Sequence, residues 1–493
     1  MLNQKNNNIR NIWLVILIIF VLRILIAAAM NLVPDETYYW DWSRFLSMGY
    51  FDHPPMVAWL VFMATSVLGD TFWAIKAVPL LGGLGISIIL FFLSKRYLTS
   101  ETGIIILLIL VNFTLVFAIG GLILTPDIPM VFFWTMGLLL AYQALFEEKQ
   151  WAWPALGIVA GLGLLSKYTF VLFGLTIFLF MLSDSSYRKL FLSWKPWIAF
   201  VLSVIVFSSN LIWNLQNSWI SFAFQLGSRS GQPDFWKRMT YFLEYIGAEI
   251  GLLSPFIFIA LIIATLLIFR QYSKNHELRF LLFFTYVPLV FFAIFSWRSR
   301  IEPNWPAPAL IAAILLVIWF WEKSRDNPRL IRFINFAIIF SLFTTVIITL
   351  HGIFPFLPIA AEKDRTSAQR GWKEFIAQVN DVRQRENPKL NYPLIANSYQ
   401  ITSMLAFYSP DQPRTHSLNL YVRSNHYALL PGRTEVLQDT IIFIAEFYKG
   451  EFPGDYLEAF KDCSSLRIAE RKIGPDYSKR YGVLVGLLRD FSN

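Results

Sequence analysis

The chain has 493 residues, 56% of them apolar, a net charge of +9 and a single cysteine, Cys463; its mean hydropathy is +0.51. Apolar runs of about eighteen residues or more recur as far as residue 354, which excludes a soluble globular protein and indicates a polytopic membrane protein, while one cysteine excludes a framework of internal disulfides. The surplus bases fall mostly in short loops between apolar runs, the pattern that orients spans, so they imply membrane lipid as a partner and no nucleic acid.

The first run, 13–30, follows Lys5 and Arg10 and lacks the small-residue cleavage site of a signal peptide, so it is expected to persist as a spanning helix. Spans are expected at 13–32, 72–93, 103–122, 128–146, 151–165, 170–182, 197–213, 250–269, 280–296, 307–321 and 333–354, eleven crossings in all. Residues 53–68 could form a further short span, and 151–182 could be one long helix. With the N-terminus in the cytoplasm, the inner loops carry Lys95 and Arg96, then 147–150, then Arg188, Lys189 and Lys195, then Arg270, Lys274 and Arg279, then Lys323, Arg325, Arg329 and Arg332. Four of those five loops are basic, consistent with the assignment. The opposite face receives 35–70, 125–127, 166–168, 216–249 and 297–306. Of these, 216–249, with Arg229, Lys237, Arg238 and Glu244, is expected to be an external loop.

Beyond about residue 362 the composition becomes that of a soluble domain. Short apolar runs at 393–396 and 440–445 read as strands and 372–382 as a helix. The expected organisation is a membrane domain, 1–358, followed by an external α/β domain, 359–493, and a monomer is expected.

The polar exceptions collect on the external face. The stretch DETYYWDWSRFL, 35–46, starts with acids directly after Pro34, as a helix N-terminus prefers, and Tyr38, Trp42 and Phe45 recur at helical spacing. It is followed by Asp52-His53 ahead of Pro54-Pro55, two residues that force their predecessors out of helix and so fix where the acid and imidazole point. Thr125-Pro126-Asp127 and Lys167 come next. Lys167 interrupts an otherwise continuous apolar run, and a cation at that depth needs a cavity or a partner. Plainer readings stand beside each: Asp35 and Glu36 as capping acids, Asp127 as an N-cap of the fourth span, Lys167 snorkelling to the interface, Arg298 and Arg300 as headgroup anchors.

The run Asp35-Glu36-Thr37-Tyr38-Tyr39-Trp40, then Gly49-Tyr50-Phe51-Asp52-His53-Pro54-Pro55, resembles the first external loop of the GT-C glycosyltransferases related to protein O-mannosyltransferases and to the aminoarabinose transferase of lipid A. It is most similar to the bacterial branch that includes lipopolysaccharide-core galacturonosyltransferases. Thr125-Pro126-Asp127, Leu165-Ser166-Lys167-Tyr168-Thr169 and Arg300-Ile301-Glu302-Pro303-Asn304-Trp305-Pro306 extend the resemblance along the membrane part. It implies a mainly α, polytopic GT-C fold with external juxtamembrane helices and a small C-terminal α/β domain, in a bacterial inner membrane with that domain periplasmic.

The activity implied is transfer of a sugar from a polyprenyl-phosphate donor to a hydroxyl of lipid A, core oligosaccharide, another glycan or a protein, with inversion at the anomeric carbon. In these terms Asp35 is the base, with Glu36 orienting it or holding the acceptor. His53, Lys167, Arg298 and Arg300 are candidates for the donor phosphate, and Asp127, Tyr38, Asp52, Glu302 and Asn304 for sugar or acceptor. The aminoarabinose branch has a lysine where this chain has His53. No cofactor is required, although a divalent metal at Asp52 and His53 is possible.

Gly157, Gly161 and Gly163 lie in an expected span with no strand before them, so they read as small-residue helix packing and not as a dinucleotide fingerprint; Gly82, Gly83 and Gly85 read likewise. No Walker sequence, Cys or His cluster or nucleophile elbow occurs. The rival class is a transporter or flippase for an envelope precursor. Transporters tend to repeat their polar motifs in paired halves, and none repeats here. A non-catalytic assembly factor is a third class. The stretches 397–400 and 423–427 resemble the family without a derivable chemistry, and turn or core roles are the simpler expectation.

Overall fold

The computed structural model describes residues 2–227, 233–389, 392–418, 424–430, 439–448, 451–464, 466–474 and 477–489. Arg229 and Arg423 lie outside the described residues. The chain divides into two compact units, one comprising Met1–Ala27, Ser47–Leu60 and Lys76–Thr349, the other Ala28–Leu46, Val61–Ile75 and Leu350–Asn493.

The first unit is helical. Among the described residues six helices are long and apolar enough to cross a membrane, and eight if each of two sharply bent pairs counts as one span. The eleven expected crossings exceed that number because several apolar stretches form shorter helices, including Glu101–Phe113 and Ala152–Ser166. The expected span 103–122 breaks at Thr114, which adopts an extended ψ of 144° between helices Glu101–Phe113 and Leu115–Gly120. The expected external loop 216–249 is instead largely helical, as Ile220–Gly227 and Phe235–Leu253. Asp234 caps the latter through the Lys237 amide at 2.8 Å, and Tyr245, Glu249 and Leu253, four residues apart, form its buried face. Helix Pro255–Gln271 follows at 95°, across Ser254 with φ of 80°, so the expected span 250–269 starts inside the preceding helix.

The segment 151–182 is not one helix. Helix Ala152–Ser166 ends at Lys167, which is extended (φ −158°, ψ 136°), and a turn at Tyr168–Phe170 leads into helix Val171–Leu182. Glycines set the helix packing, as read from the sequence. A Cβ at Gly157 would fall 2.4 Å from the Ala199 carbonyl oxygen, and one at Gly161 2.5 Å from Val206 Cβ, so helix Ala152–Ser166 lies backbone to backbone against helix Lys195–Gln216. Gly82 and Gly85 meet Ile128 and Phe132 of helix Asp127–Leu145 in the same way.

The second unit contains a mixed six-stranded sheet of β1 (Leu394–Ala396), β2 (Thr415–Ser417), β3 (Thr440–Glu446), β4 (Phe460–Cys463), β5 (Arg467–Gly474) and β6 (Tyr477–Leu488). The order is β2-β1-β3-β6-β4, with β5 also on β6; β1 runs parallel to β2 and β3, and the β6 pairings are antiparallel. The strands expected at 393–396 and 440–445 are β1 and β3. One sheet face buries Ile442, Ile444, Tyr481 and Val483 against helices Trp372–Glu386 and Tyr399–Tyr408. The other packs Phe443 and Leu484 on Tyr456 and Phe460. Along β5, the side-chain amide of Gln378 donates to the Glu470 carbonyl at 2.9 Å and accepts from the Glu470 N–H at 3.0 Å. Helix Pro34–Ser43 belongs to this unit, with Pro34 at its first turn as the sequence indicates and most of its residues buried.

Candidate functional site

In the membrane unit three of the sequence motifs meet. Lys167 Nζ donates to Asp127 Oδ1 at 2.6 Å, and the second carboxylate oxygen accepts from Asn304 Nδ2 at 2.8 Å. The Lys167 side chain is 6% exposed and that of Asp127 13%. Trp305 presents its ring 5.7 Å from the ammonium. The local causes are those visible in the sequence: Pro126 starts helix Asp127–Leu145, the helix before Lys167 ends on it, and the Glu302–Trp305 turn precedes helix Ala307–Lys323. Lys167 therefore has a partner at depth, and Asp127 is an ion-pair member as well as a helix start. Each keeps the other's charge tolerable in a poorly solvated place.

The remaining cations differ. Arg300 pairs with Glu244 at 3.2 Å with both side chains about half exposed, while Arg298 and Glu302 are exposed. The loop carrying Asp52 and His53 is tied into the helices: Tyr50 N–H donates to the His53 carbonyl at 3.1 Å, Gln225 Nε2 to the Asp52 carbonyl, and Asn210 Nδ2 to the Met48 carbonyl at 3.0 Å. Gly49 lies flat on Trp213, where a Cβ would come within 2.4 Å of the indole. Among the described residues no group of three or more His, Cys, Asp or Glu side chains is placed to hold a metal ion.

Sequence reasoning missed two buried cations of this unit. Arg23, 3% exposed, donates to Asn112 Oδ1 at 3.1 Å and to the Gly121 carbonyl, and Asn112 in turn donates to Ser87 Oγ at 2.9 Å. Lys76, wholly buried, donates to the Leu122 carbonyl at 3.2 Å. Together they grip two successive carbonyls in the chain leading to Asp127. The signal was a base inside each of the runs 13–32 and 72–93.

In the second unit the acidic pair separates by role. Glu36 is buried at the third helical position and turns back to accept from the Val33 N–H at 3.0 Å, as a capping acid does. Asp35 is half-buried, and its Oδ1 accepts from the Tyr399 hydroxyl at 2.9 Å. Tyr38 is buried; its ring centroid lies 4.6 Å from that of Tyr399 and 5.5 Å from that of Tyr427, and its hydroxyl accepts from the His426 N–H at 2.8 Å. Tyr427 donates to Asp41 Oδ2 at 2.8 Å. Burial raises the Asp41 carboxyl against the opposing effect of Arg44, 3.1 Å away, and of Tyr427. Burial also pushes the His426 imidazole down to about 3, so it is neutral at physiological pH. Ser398 caps the helix that Tyr399 begins, and Asn425 caps the turn that carries His426 and Tyr427. The two stretches left without chemistry in the sequence thus supply the neighbours of Asp35 and Asp41.

Comparison with known proteins agrees with the resemblance read from the motifs. Residues 52–213 match the family described as dolichyl-phosphate-mannose-protein mannosyltransferase. The chain is 27% identical over 315 residues to the lipid A galacturonosyltransferase RgtD of Rhizobium johnstonii, covering 60% of this chain and 63% of that protein. It is 22% identical over 333 residues to the undecaprenyl phosphate-alpha-4-amino-4-deoxy-L-arabinose arabinosyl transferase of Yersinia pestis, covering 60% of this chain and 56% of that one. The matched part thus spans less than two thirds of the length of either relative. The crystal structure of ArnT from Cupriavidus metallidurans bound to undecaprenyl phosphate superposes with a TM-score of 0.64 at 14% identity, covering 95% of this chain and 97% of that one. The chain is a multi-pass membrane protein. It has the ArnT fold and is similar in sequence to the galacturonosyltransferase RgtD.

Proposed function

We propose that this protein transfers a sugar from a polyprenyl-phosphate carrier to a hydroxyl of an envelope acceptor, lipid A or core oligosaccharide being the acceptor class that its relatives' names suggest. The observation that carries the reading is the gathering of Asp127, Lys167 and Asn304, from motifs far apart in the chain, into one polar cluster of the membrane unit. Ionisable groups at such depth are costly to bury and commonly mark a binding site.

In this reading Asp35 accepts the proton of the attacking hydroxyl as the new glycosidic bond forms, and the bond from the anomeric carbon to the carrier phosphate breaks with inversion. The leaving phosphate gains charge, which Lys167, His53, Arg298 and Arg300 offset. Asp127 and Asn304 hold sugar hydroxyls and keep the ammonium in place, with Asp52 and Glu302 assigned to the acceptor. Glu36 and Tyr38, engaged by Val33 and by His426, secure the helix that bears the base. A single displacement needs no second carboxylate as nucleophile. The reading also takes the membrane part, 1–358, as catalytic, the N-terminus as cytoplasmic and 359–493 as a periplasmic domain of a bacterial inner-membrane protein.

The test is transfer by purified protein from synthetic polyprenyl-phosphate sugars to lipid A, with mass spectrometry of the copurifying lipid to name the donor. Asp35→Asn is expected to abolish transfer while lipid still copurifies. Full activity in that variant removes Asp35 as the base, and failure of the wild type with every carrier-linked sugar, under conditions where carrier binds, removes the enzymatic reading.

A further inference from the structure

We infer that Tyr399, on the first turn of a helix in the C-terminal domain, is a positioning residue for catalysis: its hydroxyl fixes the orientation of the Asp35 carboxylate, so the external domain completes the working end of the base. This rests on the assignment of Asp35 as the base.

The geometry is specific. The Tyr399 hydroxyl donates to Asp35 Oδ1 at 2.9 Å, across 364 residues of sequence. Tyr399 is fixed by its surroundings: Ser398 caps its helix, its ring packs on Tyr38, and Tyr38 is held by the His426 amide and by Trp42 at 5.0 Å. A carboxylate on the first turn of a helix would otherwise sample several rotamers, and only some aim a lone pair at an incoming hydroxyl. Holding one of them ahead of reaction is the kind of positioning that enzymes convert into rate.

The same helix supplies an internal comparison. Asp41 also receives a phenolic hydroxyl from the C-terminal domain, that of Tyr427, but is 3% exposed and further bonded to Arg44. It is a closed structural site. Asp35 receives its phenol while only half-buried, so its carboxylate is less enclosed than that of Asp41. A neutral phenol is the suitable partner. A guanidinium in its place would stabilise the carboxylate so strongly that it became a poor base, whereas a hydroxyl sets direction at a smaller cost in basicity.

The experiment compares wild type and Tyr399→Phe, measuring kcat, donor KM and the pH profile of kcat/KM, with Asp35→Asn assayed alongside for residual transfer. Tyr399 donates to Asp35; the other titratable groups on the helix of Asp35 are Glu36, Tyr38 and Asp41, with Arg44 at its end, and the elements packed against that helix carry Tyr408, His426 and Tyr427. A hydroxyl bonded to the ionised carboxylate favours that form, so its removal moves the acid limb to higher pH, by about one pH unit for a bond to a charged group. Tyr399→Phe is also expected to lower kcat roughly tenfold with donor KM unchanged. An unchanged profile and kcat overturn the inference. So does a fall in kcat without movement of the acid limb, which makes Tyr399 a packing residue only. Undiminished activity of Asp35→Asn is the separate outcome that removes the base assignment itself.

Discussion

Lys167 Nζ and Asp127 Oδ1 are 2.6 Å apart, forty residues from one another in the chain and almost closed to solvent. Removing either strands the other's charge. Lys167→Ala and Asp127→Asn are each expected to lower stability by about 3–5 kcal/mol, and their combination by clearly less than the sum. Thermal melting in detergent checks this, and strictly additive losses would show that the two side chains do not interact. Donor affinity should fall in Lys167→Ala whatever the stability result.

The glycines of the membrane unit are not equivalent. At Gly157 a Cβ would meet the Ala199 carbonyl at 2.4 Å, whereas at Gly247, within helix Phe235–Leu253, it would meet nothing within 4 Å. Gly157→Ala should therefore cost about 1–3 kcal/mol by forcing two helices apart. Gly247→Ala should be neutral or stabilising by up to about 1 kcal/mol through helix propensity. Melting temperatures that move in the same direction for both variants would contradict the packing described.

Arg23 is held by neutral acceptors on Asn112 and Gly121. Arg23→Met leaves both acceptors buried without that donor, at about 1–3 kcal/mol for each orphaned group. Arg23→Lys keeps the charge but not the fork that reaches two acceptors, so its melting temperature should fall between those of wild type and Arg23→Met. Equal stability of all three proteins would make the network irrelevant to folding.

The neutral state of His426 couples the C-terminal domain to pH. Its folded value is near 3, below the ordinary 6.5, so between those values the unfolded chain takes up a proton that the native one does not. Stability is retained above about 6.5 and lost as pH falls toward 3. Chemical denaturation at pH 7 and pH 5 should show the loss, and it should shrink in His426→Asn. An equal pH dependence in that variant assigns the loss to other groups.

How far the sequence revealed the site depended on the kind of signal. Span positions followed from hydropathy, and Lys167 stood out because a cation interrupts an apolar run; the chain there is extended, between two helices. The breaks at Thr114 and Ser254 were not legible, since apolar composition is alike on both sides and what stops the helix is backbone geometry. Lys237 and Arg238 made 216–249 look like a loop, although the four-residue recurrence of Tyr245, Glu249 and Leu253 already described a helix face. Asp35 and Glu36 were visible as a pair, but which one turns inward to Val33 depends on the cap. Tyr399 was visible only as part of a family-like stretch, because its importance comes from a contact 364 residues away that no local pattern encodes.

The reciprocal pairing of Gln378 with the Glu470 peptide has a bearing on what the C-terminal domain can recruit. A primary amide occupies, at Glu470, the position that an added strand's peptide group would need, so an extended segment pairing along β5 would have to displace Gln378 there. Gln378 thus shields the middle of that strand from casual pairing, from within the chain itself.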